Sequence, residues 1–115
     1  MTAQAAIYGR LGADPVERVS QAGTPWATAS LAVDLGDGQS DQPPVWFSII
    51  AFGRTAEALA KHRKGDLLSA SGSLRMIRWE DREGNARETL QIVADAVVSA
   101  RTVRPGGRRP KQASE

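Results

Sequence analysis

The stretch RTAEALAKHRKGDLLSASGSLRMIRW, residues 54–79, places the one clear helix pattern of the chain directly before its longest strand pattern. A helical stripe runs through its first part, and Gly65 then supplies a stop signal. The residues that share this stripe are Ala56, Leu59, Ala60 and Arg63. From Leu68 onward, small and apolar residues alternate with polar ones, as in a strand. Gly72, in the middle of this strand, would allow the bend that a small barrel requires.

Three strand patterns precede the helix, and one follows the long strand. The first is the short apolar run AAIYG (residues 5–9), and the second is WATASLAVDL (26–35), in which apolar and polar residues alternate. VWFSIIAFG (45–53) is apolar on both sides, which is typical of a strand covered on both faces. Beyond the long strand, EDREGN (80–85) predicts a hairpin loop and RETLQIVADAVVSA (87–100) predicts the last strand.

The predicted order is therefore three strands, one helix and two strands. A single helix between the third and fourth of five strands is the connectivity of the OB-fold barrel. We predict an all-β protein with one helix, built as a five-stranded OB-fold barrel over residues 1–103. On pattern alone, a generic α+β sandwich remains an alternative. Residues 104–115 have the composition of a basic, disordered tail.

Charge is distributed unevenly along the 115 residues. Residues 101–115 carry five Lys or Arg against one Glu, whereas residues 1–100 carry ten against twelve Asp or Glu. Any affinity of the folded part for nucleic acid must therefore depend on where its arginines lie. The chain has no Cys, which excludes disulfides and thiolate metal sites and suits a reducing cytosol. The sequence shows neither a membrane span nor a signal peptide.

Residues for catalysis are scarce. The single histidine, His62, lies between Lys61 and Arg63 and is expected to be exposed to solvent. No Ser/His/Asp group can be assembled without it, and the sequence has no Walker-type phosphate loop and no metal-ligand spacing. We therefore expect a protein that is not an enzyme and that uses no metal or cofactor.

Strand parity places three aromatic residues on the more polar side of their strands. Trp46 and Phe52 share a side with Ser48, and Trp79 shares a side with Arg75. Every nucleic-acid base has a π-face, so aromatic side chains between cationic neighbours form a stacking platform for unpaired bases. The pattern therefore indicates binding of single-stranded nucleic acid.

Other readings of the aromatics stay open at this stage. Trp46, in a strand that is apolar on both sides, can equally be a core residue, and so can Phe52 at the end of the strand. Phe47 has the opposite parity and is expected in the core. Trp26 follows a proline at a strand start and can plug a barrel end or contact another subunit. Around Trp79, the arginines alternate with carboxylates, as on an ordinary solvated surface.

Four short motifs occur in order along the chain: GRLG followed by DP, W-x5-FG, a KG turn, and G-x-L-x4-W-x-D. In these motifs and their spacing, the chain resembles the bacterial single-stranded DNA-binding protein family from about Ala5 to about Arg101. The resemblance implies an OB-fold barrel, assembled as a homotetramer, that binds single-stranded DNA without sequence preference. It further implies roles in DNA replication, recombination and repair in the cytoplasm, at the nucleoid, without membrane association.

The resemblance also assigns residues to DNA contact. The implied stacking residues are Trp46, Phe52 and Trp79. The implied phosphate contacts are Arg10, Arg54, Arg75 and Arg78.

The chain departs from the family pattern in three places. Many relatives carry a further tryptophan in the loop that is here GDGQSDQPP, and Trp26 stands where an aliphatic residue is common. Relatives also end in an acidic tip that recruits other proteins, whereas this chain ends RRPKQASE, so recruitment through such a tip is not expected. Either the chain is truncated or it is a divergent copy from a plasmid, phage or integrated element. Two rival functions remain: an adaptor similar to primosomal replication protein N, and an RNA-binding module.

Overall fold

The computed structural model describes residues 2–35 and 43–102, which form six strands and one helix. These elements are β1 (Ala3–Leu11), β2 (Val16–Val19), β3 (Pro25–Val33), β4 (Val45–Phe52), α1 (Gly53–Ala60), β5 (Leu67–Glu80) and β6 (Ala86–Val98). The predicted tail, 104–115, and most of the predicted loop 36–44 lie outside the described residues. No helix in the described part of the chain is long and apolar enough to cross a membrane.

Five of the strands close into a ring. Their order is β1-β5-β6-β4-β3, and β3 returns to β1 through the pairs Arg10–Ala32 and Leu11–Leu31. Neighbouring strands are antiparallel except β4 and β6, which run parallel. With α1 between the third and fourth strands of the ring, this closed sheet confirms the predicted OB-fold barrel and excludes the α+β sandwich.

A sixth strand, β2, was not predicted. Among the described strands it pairs with β3 alone, outside the ring, in a hairpin where Arg18 lies opposite Trp26 and Val19 lies opposite Pro25. The turn that joins the two strands includes Gly23, with φ at +85°, which favours glycine. All four residues of β2 are exposed, so the alternation of buried and exposed positions that identifies a strand in a sequence is absent.

The hydrophobic core fills the ring with residues from alternating strand positions. Its members are Leu11, Ala27, Leu31, Val33, Phe47, Ile49, Ala51, Ala56, Leu59, Leu68, Ala70, Ile92, Ala94 and Val97. The prediction that Phe47 belongs to the core is confirmed, because its side chain is only 6% exposed. The helix α1 contributes Ala56 and Leu59, so it is packed onto the barrel by part of the stripe that the sequence indicated.

Gly72 lies where the ladder between β5 and β6 loses its register. Ser71 is opposite Ala96 and Gly72 is opposite Ala94, which leaves Asp95 as an extra residue on β6. Such a bulge bends a strand and increases its twist. A Cβ atom on Gly72 would collide with the carbonyl oxygen of Val93, so the two strands approach closely at this point.

The expectation that His62 is exposed is wrong. Its side chain is fully buried, with Nδ1 3.1 Å from the carbonyl oxygen of Leu59 and Nε2 2.5 Å from Oγ of Ser99. The cause lies at the end of α1, where the N–H of His62 donates to the carbonyl of Leu59, three residues back. A turn of three residues stacks His62 beneath Leu59. Arg63, which the predicted stripe included, is exposed instead.

Candidate nucleic-acid interface

Four neighbouring strands present one continuous surface on the side opposite the core, which we call the outer sheet face. Side chains point to it from alternate positions, and the cross-strand register brings them into rows. Its residues are Trp26, Thr28, Ser30 and Ala32 on β3, Trp46, Ser48, Ile50 and Phe52 on β4, Thr89, Gln91 and Val93 on β6, and Ser73, Arg75, Ile77 and Trp79 on β5.

The three aromatic residues assigned to stacking all lie on the outer sheet face, and each is about half exposed. The exposed fraction is 51% for Trp46, 51% for Phe52 and 48% for Trp79. A core role for Trp46 or Phe52 would require a buried ring, as Phe47 has. The structure therefore brings together on one surface the three rings that the sequence singled out.

Trp46 and Trp79 are linked at one end of this face by Thr89. The indole Nε1 of Trp79 donates a hydrogen bond to Oγ1 of Thr89, at 3.0 Å. Phe47 of β4 and Leu90 of β6 are paired, and the two strands run parallel. Trp46 directly precedes Phe47 and Thr89 directly precedes Leu90, so Trp46 and Thr89 lie side by side. The two indoles thus belong to one local group, and the hydrogen bond fixes the orientation of Trp79.

Trp46 is further held by the start of the β1–β2 connection. A Cβ atom on Gly12 would lie 2.6 Å from Cζ3 and from Cη2 of the Trp46 ring. The missing side chain of Gly12 therefore leaves the space that the edge of this indole fills. A ring that is already held in place loses less side-chain entropy when a ligand binds to it.

A second aromatic pair occupies the other end of the face. Phe52 lies directly opposite Trp26, and Trp26 lies opposite Arg18 of β2. The guanidinium carbon of Arg18 is 5.7 Å from the centroid of the Trp26 ring, within the range of a cation–π contact. Trp46 and Phe52 are six residues apart on one strand, which separates the two aromatic pairs by about 20 Å.

A chain of hydrogen bonds crosses the face between the two pairs. Nε of Arg75 donates to Oε1 of Gln91 at 2.7 Å, and Nε2 of Gln91 donates to Oγ of Ser48 at 3.2 Å. Gln91 is 5% exposed, so these bonds satisfy a buried amide. Since Arg75 is anchored through Nε, its two terminal amino groups, which bond to none of the described residues, remain available for an anion.

The remaining assigned arginines lie in different settings. Arg10 is opposite Ala32, which in turn is opposite Trp46, and its Nη1 donates to the carbonyl of Gly65 at 2.6 Å. Arg54 is exposed at the start of α1, two residues after Phe52. Both therefore border the outer sheet face.

Arg78 is separated from the other assigned residues. Its position on β5 lies between Ile77 and Trp79, so strand alternation directs its side chain to the opposite side of the β5–β6 ribbon. There its Nε lies 3.2 Å from Oε1 of Glu88, and both side chains are well exposed. An exposed pair of this kind contributes little to stability.

Sequence reasoning missed several residues that shape this surface, namely Gly12, Arg18, Thr89 and Gln91. The outward orientation of Gln91 could have been predicted from the sequence, because Gln91 is a polar residue between the apolar Leu90 and Ile92. Its partners Arg75 and Ser48 follow only from the register between strands. In the described ranges, no group of three or more His, Cys, Asp or Glu side chains could hold a metal ion.

Asp81 organises the tip of the hairpin that carries Trp79. Its Oδ1 accepts hydrogen bonds from the backbone N–H groups of Glu83 and Asn85, both at 2.9 Å. Its Oδ2 accepts from Nε of Arg87 at 3.0 Å. The hydrogen bond from the Asn85 backbone, followed by the bonds from Arg87 and Glu83, holds the pKa of Asp81 below its ordinary value of 3.8 against the opposing effect of desolvation.

We therefore expect the hairpin tip to loosen in acid. A carboxyl whose pKa is lowered by folding contributes stability above its ordinary value of 3.8, and this contribution is lost as the pH falls through the lower folded value. Hydrogen exchange should show falling protection of the Glu83 and Asn85 amides over this range, and low protection at every pH in Asp81→Ala. Asp66→Ala, which removes a carboxylate outside the hairpin, is the matched control. Equal protection in Asp81→Ala and in the unsubstituted protein would contradict this role.

Comparison with known proteins identifies the family of this barrel. The family model described as "Single-strand binding protein family" matches residues 2–100. "Single-stranded DNA-binding protein 1" of Xylella fastidiosa (strain 9a5c) is 37% identical over 94 residues, 76% of this chain and 69% of that protein. "Single-stranded DNA-binding protein" of Thermotoga maritima is 38% identical over 96 residues, 79% and 68% respectively. Since the match extends from β1 through β6, the chain belongs to the single-strand binding protein family.

Proposed function

We propose that this protein binds single-stranded DNA without sequence specificity, by stacking unpaired bases on Trp46, Phe52 and Trp79. The observation that carries the proposal is the exposure of about half of each of these three rings on one sheet face. Stacking tolerates any base because every base has a π-face. Duplex DNA is a poor ligand for such rings, since its bases already stack on each other.

Arginines would neutralise the phosphates between the stacked bases. Arg75 lies between the two aromatic pairs, and its bond to Gln91 holds it beside the path that a strand would take. Arg10 and Arg54 border the same path. Residues 1–100 carry ten Lys or Arg against twelve Asp or Glu, so the barrel has no net positive charge. Neutralisation of the phosphates therefore depends on where these arginines lie. The electrostatic part of the affinity should weaken as salt is added.

The relatives carry names that describe single-stranded DNA binding. For this chain we propose the corresponding role, which is to cover single strands exposed during DNA replication, recombination and repair, in the cytoplasm at the nucleoid. The role requires binding and release without catalysis, metal or cofactor. In keeping with this, both ring nitrogens of the single histidine, His62, lie against groups inside the protein, at Leu59 and Ser99.

We further propose that the protein acts as a homo-oligomer, a tetramer. An exposed apolar patch supports self-association: Tyr8 of β1, Leu67 of β5 and Val98 of β6 are exposed by 60%, 44% and 55% respectively. Tyr8 pairs with Ser69, which pairs with Val98, so two of these residues lie in one row. Apolar residues grouped in this way on a surface commonly mark a contact between proteins.

Titration of the protein with an oligothymidine tests the proposed function. Tryptophan emission should be quenched as the strand binds, because bases cover Trp46 and Trp79. Light scattering on the protein before the strand is added should give the mass of a tetramer. A duplex of equal length is the control and should bind more weakly at the same salt concentration.

Three outcomes would contradict the proposal. Absence of quenching at low salt would reject the stacking role. Clearly tighter binding of an RNA strand of the same length would favour an RNA-binding module, because the outer sheet face would then select RNA. A dimer without affinity for either strand would favour a protein adaptor.

A further inference from the structure

Trp26 forms a row with two neighbours across three strands. Arg18, Trp26 and Phe52 are consecutive cross-strand partners on β2, β3 and β4, so their side chains stand side by side on the outer sheet face. Directly opposed residues have Cβ atoms about 4.5–5.5 Å apart. Phe52 is half exposed and Trp26 is partly exposed.

We propose that Trp26 is a further stacking position for single-stranded DNA, extending the surface of Phe52, and that Arg18 contacts the adjacent phosphate. This inference rests on the proposed function and adds a site to it. A strand that reaches Phe52 from Trp46 arrives at the edge of the Trp26 ring. The next base along the strand then stacks on Trp26.

The position of Trp26 argues against a purely structural role. Its neighbour Ala27 is fully buried, and strand alternation turns Trp26 the other way. Trp26 is accordingly absent from the core, both from the buried residues and from those packed against them. A large indole on an outward position, beside an exposed phenyl ring and an arginine, has the composition of a base-stacking site.

The guanidinium of Arg18 can be displaced from the Trp26 ring by a base. Its guanidinium lies over the Trp26 ring at 5.7 Å, and Arg18 itself is exposed. A cation–π contact at an exposed site stabilises less than the stacking of a base on an indole. A base therefore displaces the guanidinium from the ring, and the freed cation pairs with the phosphate beside that base.

Fluorescence of a protein with Trp26 as its single tryptophan tests the stacking directly. The variant Trp46→Phe/Trp79→Phe keeps a flat ring at both other positions, and Trp26 is then the only indole, because the chain has three tryptophans. Binding of a labelled oligothymidine is followed separately by anisotropy. The emission of Trp26 should be quenched as the strand saturates the protein, and unchanged emission with the strand bound would overturn the inference.

Affinity measurements distinguish the effect of a flat aromatic ring at position 26 from that of a large apolar side chain without a ring. Trp26→Leu should weaken binding of a long oligothymidine by about 5- to 20-fold, whereas Trp26→Phe should bind within a few-fold of the unsubstituted protein. Circular dichroism and thermal melting establish that both variants are folded. Loss of affinity in Trp26→Phe equal to that in Trp26→Leu would mean that the site does not act by stacking.

The salt dependence of binding tests Arg18. Each phosphate neutralised on a single strand contributes about 0.7 to the slope of log affinity against log salt, so Arg18→Gln should lower the slope by about 0.7. Lys61→Gln makes the same change in charge at the residue directly after α1, and it should leave the slope unaltered. Equal slopes for Arg18→Gln and Lys61→Gln would remove the phosphate contact from the proposal.

The experiments distinguish this inference from the proposed function. If the unsubstituted protein fails to bind oligothymidine, the proposed function itself is wrong. If it binds, and Trp26→Leu binds equally well while Trp26 emission is unchanged, only the additional stacking position is wrong.

Discussion

Replacing Trp79 with alanine is expected to weaken oligothymidine binding by about 1–3 kcal/mol, or roughly 5- to 150-fold. The indole is half exposed on the outer sheet face, and its N–H bond to Thr89 holds it in place beside Trp46. Alanine removes the whole stacking surface of this residue, and among the described residues of the outer sheet face only Trp46 has a ring at the same end. The loss should be measured by titration with a labelled strand at fixed salt concentration.

The fold should survive this change. Trp79 lies on the two-stranded part of the β5–β6 ribbon, beyond Leu74, the last residue of β5 that also pairs with β1. Exposed substitutions away from the core usually alter stability by less than about 0.5 kcal/mol. Trp79→Phe should retain most of the affinity, and Met76→Ala, on the other side of the ribbon, should retain all of it. Unchanged affinity in Trp79→Ala would remove this residue from the interface.

Replacing Gly9 with valine is expected to destabilise the barrel by about 3 kcal/mol. Gly9 is buried beside the junction where β1 closes the ring against β3. A Cβ atom there would collide with the backbone carbonyl oxygen of Ala32 and approach the Leu31 side chain. A backbone atom cannot rotate away, so the two strands must separate to accommodate the valine.

Urea unfolding measures this effect as a lower midpoint. Gly9→Ala should show the same direction with a smaller magnitude, since one methyl group already meets the carbonyl. Ala3→Val is the matched control, because Ala3 is exposed on the same strand and valine favours strands. If the unfolding free energy of Gly9→Val is close to that of the unsubstituted protein, β1 and β3 can separate at this junction without loss of stability, and the prediction is wrong.

Strand alternation made the surface of the barrel predictable from sequence. Trp46 and Phe47 are adjacent, and period-two alternation put them on opposite sides of the strand, with Trp46 on the more polar side. The structure has Phe47 buried and Trp46 half exposed, which excludes the core role that the sequence had left open for Trp46. The same rule separates Arg78 from Trp79, and the structure has the Arg78 side chain beside Glu88 on the other side of the ribbon. The side on which a residue lies depends only on its own strand, and a single sequence carries that information.

Register and irregular turns were not predictable in the same way. The pairing of Trp26 with Phe52, and the chain from Arg75 through Gln91 to Ser48, depend on how separate strands align after the ring closes. The strand β2 lacks buried positions altogether. His62 is buried through a tight turn at the end of α1, which the helical period could not reveal. In each case the determining interaction is between segments or lies in an irregular turn.

The parallel pairing of β4 with β6 has a consequence during protein synthesis. β4 leaves the ribosome before α1 and β5, but its neighbour β6 is nearly the last described segment to emerge. Until then, one side of β4 has backbone groups without their partners, and an open strand edge invites association with other nascent chains. The barrel cannot close by stepwise addition of hairpins. We therefore expect barrel closure to be delayed until β6 has been translated, and chaperones to be needed most in that interval.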